Sequence, residues 1–145
     1  MNFAKEWSHK DEWRSSGEHF LVVVSRHAVQ VDEEFGEGPH IWCVYAYIYP
    51  EHPHFAAFNG PHMWQDAASM MPFHRGPSYL DYPTHEGKVT SVKVGADYNH
   101  LYDDRFTHYA TAEDAYSVFS DAQDLHYWLT AKSMKETAPV ESETA

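Results

Sequence analysis

Positive charge is scarce in this 145-residue chain: 10 Lys and Arg stand against 22 Asp and Glu, a formal net charge of −12 at pH 7. Each phosphate a protein neutralises needs a Lys or Arg, and anionic lipid attracts polybasic segments, so the deficit argues against direct binding to nucleic acid or a membrane surface. Cysteine is rarer still. Cys43 stands alone, so no internal disulfide can form, and its place in an apolar run marks it as a small buried hydrophobe. No apolar run approaches the roughly 20 residues that span a bilayer. The stretch Met1-Asn2-Phe3-Ala4-Lys5-Glu6-Trp7 lacks the apolar segment of a signal peptide, which leads us to expect a cytoplasmic protein. Also missing are a Gly-x-Ser-x-Gly elbow, a Walker A loop, a dinucleotide-binding glycine pattern, a His-Glu-x-x-His pair and any internal repeat.

What the chain does have is core material. Hydrophobic residues make up 43% and aromatics 16%, and a domain of this size buries roughly 70% of its unfolded surface. Twelve histidines titrate near neutrality, so mild acid should reduce the negative charge steeply. The expected organisation is one α+β domain over 1–132 followed by a disordered acidic tail over 133–145, which is small, polar and without apolar periodicity.

Along the chain, Lys5 to Arg14 reads as a short helix, or as an arm docking through Trp7 and Trp13. His19 to Val31 reads as a strand whose run Phe20-Leu21-Val22-Val23-Val24 is buried on both faces. Asp32 to Pro39 reads as an acidic, Gly-rich turn. In the strand His40 to Tyr49, Ile41, Cys43, Tyr45, Tyr47 and Tyr49 alternate with Trp42, Val44, Ala46 and Ile48, the mark of a central strand, and the pair forms an antiparallel hairpin. Residues 50–87 carry Pro50, Pro53, Pro61, Pro72, Pro77 and Pro83 and read as irregular, with a short helix over Met63–Met71 opened by Pro61. Lys88 to Val94 is a third strand, with a bulge at Gly95, and Phe106 to Tyr109 a short return strand. Thr111 to Leu129 is the clearest helix. Thr111 and Asp114 approximate a capping box, and Ala115, Val118, Phe119, Ala122, Leu125, Trp128 and Leu129 form one apolar stripe. The predicted fold is therefore a small antiparallel sheet of three to four strands with a C-terminal amphipathic helix packed on it.

Three constellations bear on chemistry. In Glu51-His52-Pro53-His54, a His-x-His pair leaving a strand can present both imidazoles to Zn or Fe, with His62, His74 or His85 as further ligands. The alternative reading of that segment is a polar loop. Asp97-Tyr98-Asn99-His100-Leu101-Tyr102-Asp103-Asp104-Arg105 has carboxylates at close spacing. It fails the calcium-loop pattern, because Tyr102 stands where Gly is needed and His108 where Glu is needed. A turn capped by Asp97 and Asn99, with Arg105 paired to Asp103 or Asp104, fits better. His74-Arg75-Gly76-Pro77-Ser78-Tyr79 lacks the elbow that a serine hydrolase would require.

The stretch Val92-Lys93-Val94-Gly95-Ala96-Asp97-Tyr98-Asn99-His100-Leu101-Tyr102-Asp103-Asp104-Arg105-Phe106, with the helix ending Leu125-His126-Tyr127-Trp128-Leu129, resembles small accessory proteins of phages and plasmids, of the anti-CRISPR or other anti-defence type. The resemblance covers roughly the last third of the chain before the tail. It implies stoichiometric binding to a host protein, in the host cytoplasm, rather than catalysis. The expectation is an acidic protein that binds a basic protein partner, such as the nucleic-acid-binding groove of a defence complex. Its binding residues would be Asp32, Glu33, Glu34 and Glu37 on the first hairpin and Asp103 and Asp104 on the later loop, with no resident cofactor. The competing expectation is a small metal-dependent enzyme using Zn or Fe at His52 and His54.

Overall fold

The computed structural model describes residues 9–32, 36–58, 67–98 and 104–130. Strand β1 (His9–Gly17) turns through Glu18 and His19 into β2 (Phe20–Asp32), and β3 (Gly36–Ile48) returns antiparallel to it. After a proline-interrupted stretch come β4 (Tyr79–Asp81), the small hairpin of β5 (Thr84–His85) and β6 (Lys88–Val89), and β7 (Val92–Asp97). Helix α1 (Tyr116–Thr130) follows. The main sheet has the order β1-β2-β3-β7-β4, antiparallel throughout. It is the expected α+β arrangement with a C-terminal helix, one strand wider than foreseen.

Strand alternation decides where the core lies. Phe20, Ile48 and Val92 stand in one cross-strand row, Val22, Ala46 and Val94 in the next, and Val24, Val44 and Ala96 in a third. All nine are buried, and eight of them join Val118, Ala122, Leu125, Trp128 and Leu129 of α1 in the hydrophobic core. The helical stripe read from the sequence is thus the face that packs on the sheet. Each fully buried Leu, Val or Phe contributes about 1.5–3 kcal/mol by leaving water. Trp42, with 0% exposure, is held further by its indole N–H, which donates to the Tyr109 carbonyl at 3.0 Å.

Several local expectations are corrected. Residues 9–17 form a strand, not a helix, and β1 docks through Trp13, whose ring stacks on Trp42 at 5.6 Å and meets Phe119 edge-on at 5.2 Å. The acidic turn expected over Asp32–Pro39 is largely strand, since β2 runs to Asp32 and β3 starts at Gly36, with register shifts near Ala28, Gln30 and Asp32. The strand expected over Lys88–Val94 is two strands in two sheets. Glu86 (φ 52°) and Gly87 (φ 81°) make a tight two-residue turn between β5 and β6, the left-handed pair such hairpins need. Thr90 then ties back to the Pro83 carbonyl through both its amide (2.8 Å) and its hydroxyl (3.1 Å). Gly95 is no bulge: it sits in register opposite Tyr45. A Cβ there would overlap the Tyr45 ring and lie 2.9 Å from the Val44 carbonyl oxygen, so the glycine admits a ring lying across the strand. Asp104–His108 is a 3-10 turn, not a strand, and it drives Phe106 into the core at 1% exposure.

Of the helix expected at Met63–Met71, the described part is a 3-10 turn, Ala67–Met70. Helix α1 begins later than foreseen, though the Thr111 hydroxyl does accept the Asp114 amide at 3.1 Å. The tail expected over 133–145 lies outside the described residues. No helix among the described residues is long and apolar enough to cross a membrane.

Candidate binding surface

The His-x-His pair leaves β3 through a turn that buries both imidazoles, His52 to 3% and His54 to 1% exposure. Their rings lie 4.8 Å apart, and the His54 ring lies 4.9 Å from Trp128 of α1. His52 Nε2–H donates to the Leu129 carbonyl at 2.7 Å, near the end of α1. Its Nδ1 accepts the His54 amide at 3.0 Å. A carbonyl can only accept, so these two bonds fix the neutral Nε2–H tautomer and occupy the one lone pair a metal would use. Burial pushes the His52 pKa down and His19 pushes it further, while the Leu129 carbonyl partly opposes them. In this arrangement His52 fastens the end of the helix to the turn after β3. Among the described residues no group of three or more His, Cys, Asp or Glu is placed to hold a metal ion.

Other histidines are also absorbed into structure. His74 stacks on Tyr98 at 4.4 Å. His40 Nδ1 accepts from Arg26 Nη1 at 2.9 Å, and Arg26 Nε and Nη2 donate to Asp11 Oδ2 at 3.0 and 2.7 Å. Arg26 is 4% exposed, and a charge so placed is sustained only by such pairing.

Two surface features remain. The first is a groove of about 390 Å³ between the β1–β2 hairpin and α1. Trp13, Val22, Val24, Phe119 and Ala122 line it, and Arg14, Ser15, Gln123 and His126 supply its polar groups. Ser15 Oγ and His126 Nδ1 are 2.9 Å apart, the spacing of a nucleophile and its base. Among the described residues no carboxylate hydrogen-bonds His126 to orient it, so the pair acts as a tie between β1 and α1.

The second feature is the outer side of α1. Tyr116 and Tyr127 are 73% and 76% exposed, and Ser120, Gln123 and Asp124 are exposed between them. Residues 111–130 hold Glu113, Asp114, Asp121 and Asp124 and no Lys or Arg. Glu113 and Asp114 sit before the helix start, where the dipole favours them. Asp121 accepts the Tyr98 hydroxyl at 2.6 Å. Asp124 lies in the second half of the helix, where the dipole gives a carboxylate no support, and the last turn has no basic residue.

The side chains of the acidic residues expected to bind a partner all lie outside the described residues. Asp32 and Glu37 belong to β2 and β3 and Asp104 to the 3-10 turn, while Glu33, Glu34 and Asp103 lie outside the described residues altogether. Sequence reasoning missed the groove. Ser15 and His126 are 111 residues apart, and only the alternation of β1, hidden by its charges, could have hinted that Trp13 and Ser15 share a face. Compared with family models, with curated proteins and with solved structures, the chain matches none.

Proposed function

We propose that this chain is an acidic binding protein that engages a basic protein partner by stoichiometric association rather than catalysis. The observation that carries the reading is the outer side of α1: two tyrosines more than 70% exposed among carboxylates, with no Lys or Arg in the twenty positions 111–130. Exposed tyrosines are the residues that anchor protein interfaces, and complementary charge steers a partner toward them. Asp32, Glu33, Glu34, Glu37, Asp103 and Asp104 would add to the same field. A basic, nucleic-acid-binding groove of a host defence complex is the partner that the resemblance to phage-borne accessory proteins implies.

The test begins with capture of a partner and continues with binding kinetics. Screening acts over about 8 Å at 0.15 M salt and about 3 Å at 1 M, so the on-rate should fall as salt rises and fall again when Glu113 and Asp124 are changed to Lys. Tyr116→Ala and Tyr127→Ala should raise the off-rate. An on-rate indifferent to both salt and charge reversal would reduce the −12 charge to a solubility feature.

A further inference from the structure

The groove beside α1 is apolar, yet it opens on an acidic surface. Its floor is Trp13, Val22, Val24, Phe119 and Ala122. Its Ser15 Oγ and His126 Nδ1 already bond each other at 2.9 Å, so an occupant need bring no polar group for these two atoms. Arg14, its one cation, is drawn to Glu12 at 3.1 Å, which leaves that pair neutral. A second hollow of about 370 Å³ shares Phe119 and Gln123 with the groove and ends at Glu113 and Tyr116. The two form one trough that crosses from the hairpin over α1 to its acidic outer side.

We propose that this trough receives a single aromatic or long aliphatic side chain carried on a basic polypeptide segment, whose Lys or Arg residues then lie along Glu113 and Asp124. The inference rests on the acidic-binding reading and deepens it by naming what enters the groove. Charge complementarity selects the segment: Glu113 lines the second hollow, Asp124 stands exposed on the same helix, the one lining cation, Arg14, is paired with Glu12, and the floor offers nothing for a charge to bind. The shape selects the anchor. A volume near 390 Å³ lies within the range of small binding clefts. The Trp13 and Phe119 rings, edge-on at 5.2 Å, offer a third ring both a face and an edge. An aromatic side chain so placed buries about 150–250 Å², whereas a lysine alone would gain only the weak attraction of exposed charges.

The full chain, isotope-labelled, is titrated with two probes: decalysine, and the same peptide with one central Phe. The Phe-bearing peptide should bind about tenfold tighter and shift the Trp13 indole N–H and the Ala122 methyl resonances, which plain decalysine leaves in place. Two variants fill the trough, Ala122→Phe from its floor and Gln123→Trp from its exposed rim. The second is at the surface and should fold even if the first does not. In either, the tenfold advantage should vanish while decalysine binds as before. Equal affinity of the two probes, or an advantage that survives both fillings, overturns the anchor proposal and leaves the acidic reading standing. Decalysine binding that ignores Glu113→Lys with Asp124→Lys overturns the acidic reading. Phe-dependent shifts at Trp13 would in that case still support the groove as the anchor site.

Discussion

The two faces of the central sheet come from the same strands, yet they are built on different chemistry. On the helix side, the even positions over 20–24 of β2, 42–48 of β3 and 92–96 of β7 are Val, Ala, Ile, Phe and Trp, an apolar surface on which α1 packs. On the other side, the odd positions present Tyr45, Tyr47 and Lys93, with Tyr79 reaching in from β4. There the Tyr45 ring covers Gly95, Tyr45 and Tyr79 meet edge-on at 5.8 Å, and the Lys93 ammonium lies 4.6, 5.3 and 5.2 Å from the rings of Tyr45, Tyr47 and Tyr79. Burial, with Cys43 alongside, pushes the Tyr45 hydroxyl pKa up. One face needs a second layer to be dry, whereas the other uses amphipathic rings that shield backbone and still meet water at their tips.

If that contrast holds, truncations on the helix side should be the most damaging. Trp42→Ala should cost about 3–5 kcal/mol and Leu125→Ala about 2–5 kcal/mol, both read by chemical denaturation. Phe119→Ala should cost less than Leu125→Ala, because Phe119 is only partly buried at the groove. A Tyr47→Ala loss as large as that of Trp42→Ala would erase the distinction between the faces.

The contrast was half legible in the sequence. Alternation over 41–49 separates Trp42, Val44, Ala46 and Ile48 from the tyrosines, and the stripe from Ala115 to Leu129 gives the helix its inward side. Strand β1 was not legible, because Lys10, Asp11, Glu12 and Arg14 put four charges in nine residues. It is a strand because Trp13 and Ser15 pair across β2 with Val24 and Val22, a tertiary gain that outweighs propensity. The histidine pair shows the same limit. Spacing correctly brings His52 and His54 together, but it cannot show that the His52 nitrogens are turned to backbone groups.

The next largest effect belongs to the tyrosine face. Gly95→Ala should cost about 1–3 kcal/mol, as overpacking does. The Tyr45 ring can move aside, but the Val44 carbonyl, 2.9 Å from the new Cβ, cannot. Tyr45→Ser should therefore relieve only part of the loss. A fully tolerated Gly95→Ala would mean that the ring does not rest on the strand.

Mild acid tests how α1 is fastened. His52 is stabilised as the neutral base, so its folded pKa lies below the ordinary value of 6.5. The unfolded chain then takes up a proton at a higher pH than the folded one. The contribution is complete above pH 6.5 and is lost as pH falls toward the folded pKa, because protonation ends acceptance of the His54 amide. The groups facing His52 are Glu18 and His19 on the β1–β2 turn, Phe20 at the start of β2, His54, and Leu129 and Thr130 on α1. Denaturation midpoints for His52→Gln should fall less steeply between pH 7 and 5 than those of the parent, by up to about 1.4 kcal/mol per pH unit at most for one proton. Parallel profiles would show that this histidine carries none of the acid sensitivity.

The smallest effect decides whether the tyrosine face is held by its lysine or merely crowds around it. Lys93 lies directly across from Tyr47 on one side and Asp81 on the other, and its stem packs among the rings whatever its charge. Lys93→Met keeps the stem and removes the ammonium, so it isolates the attraction between cation and ring quadrupole, about 0.5–1 kcal/mol at a site open to water. Solvation of the freed tyrosines can mask a difference that small, which a cycle with Tyr45→Leu corrects. The loss from the double variant should fall short of the two single losses combined by about 0.5 kcal/mol, since the second change removes an interaction already gone. The nearest ring, at 4.6 Å, is the right one for this cycle because the attraction falls with distance. Strict additivity would mean that Lys93 contributes only its aliphatic stem, and that the rings alone shield this side of the sheet.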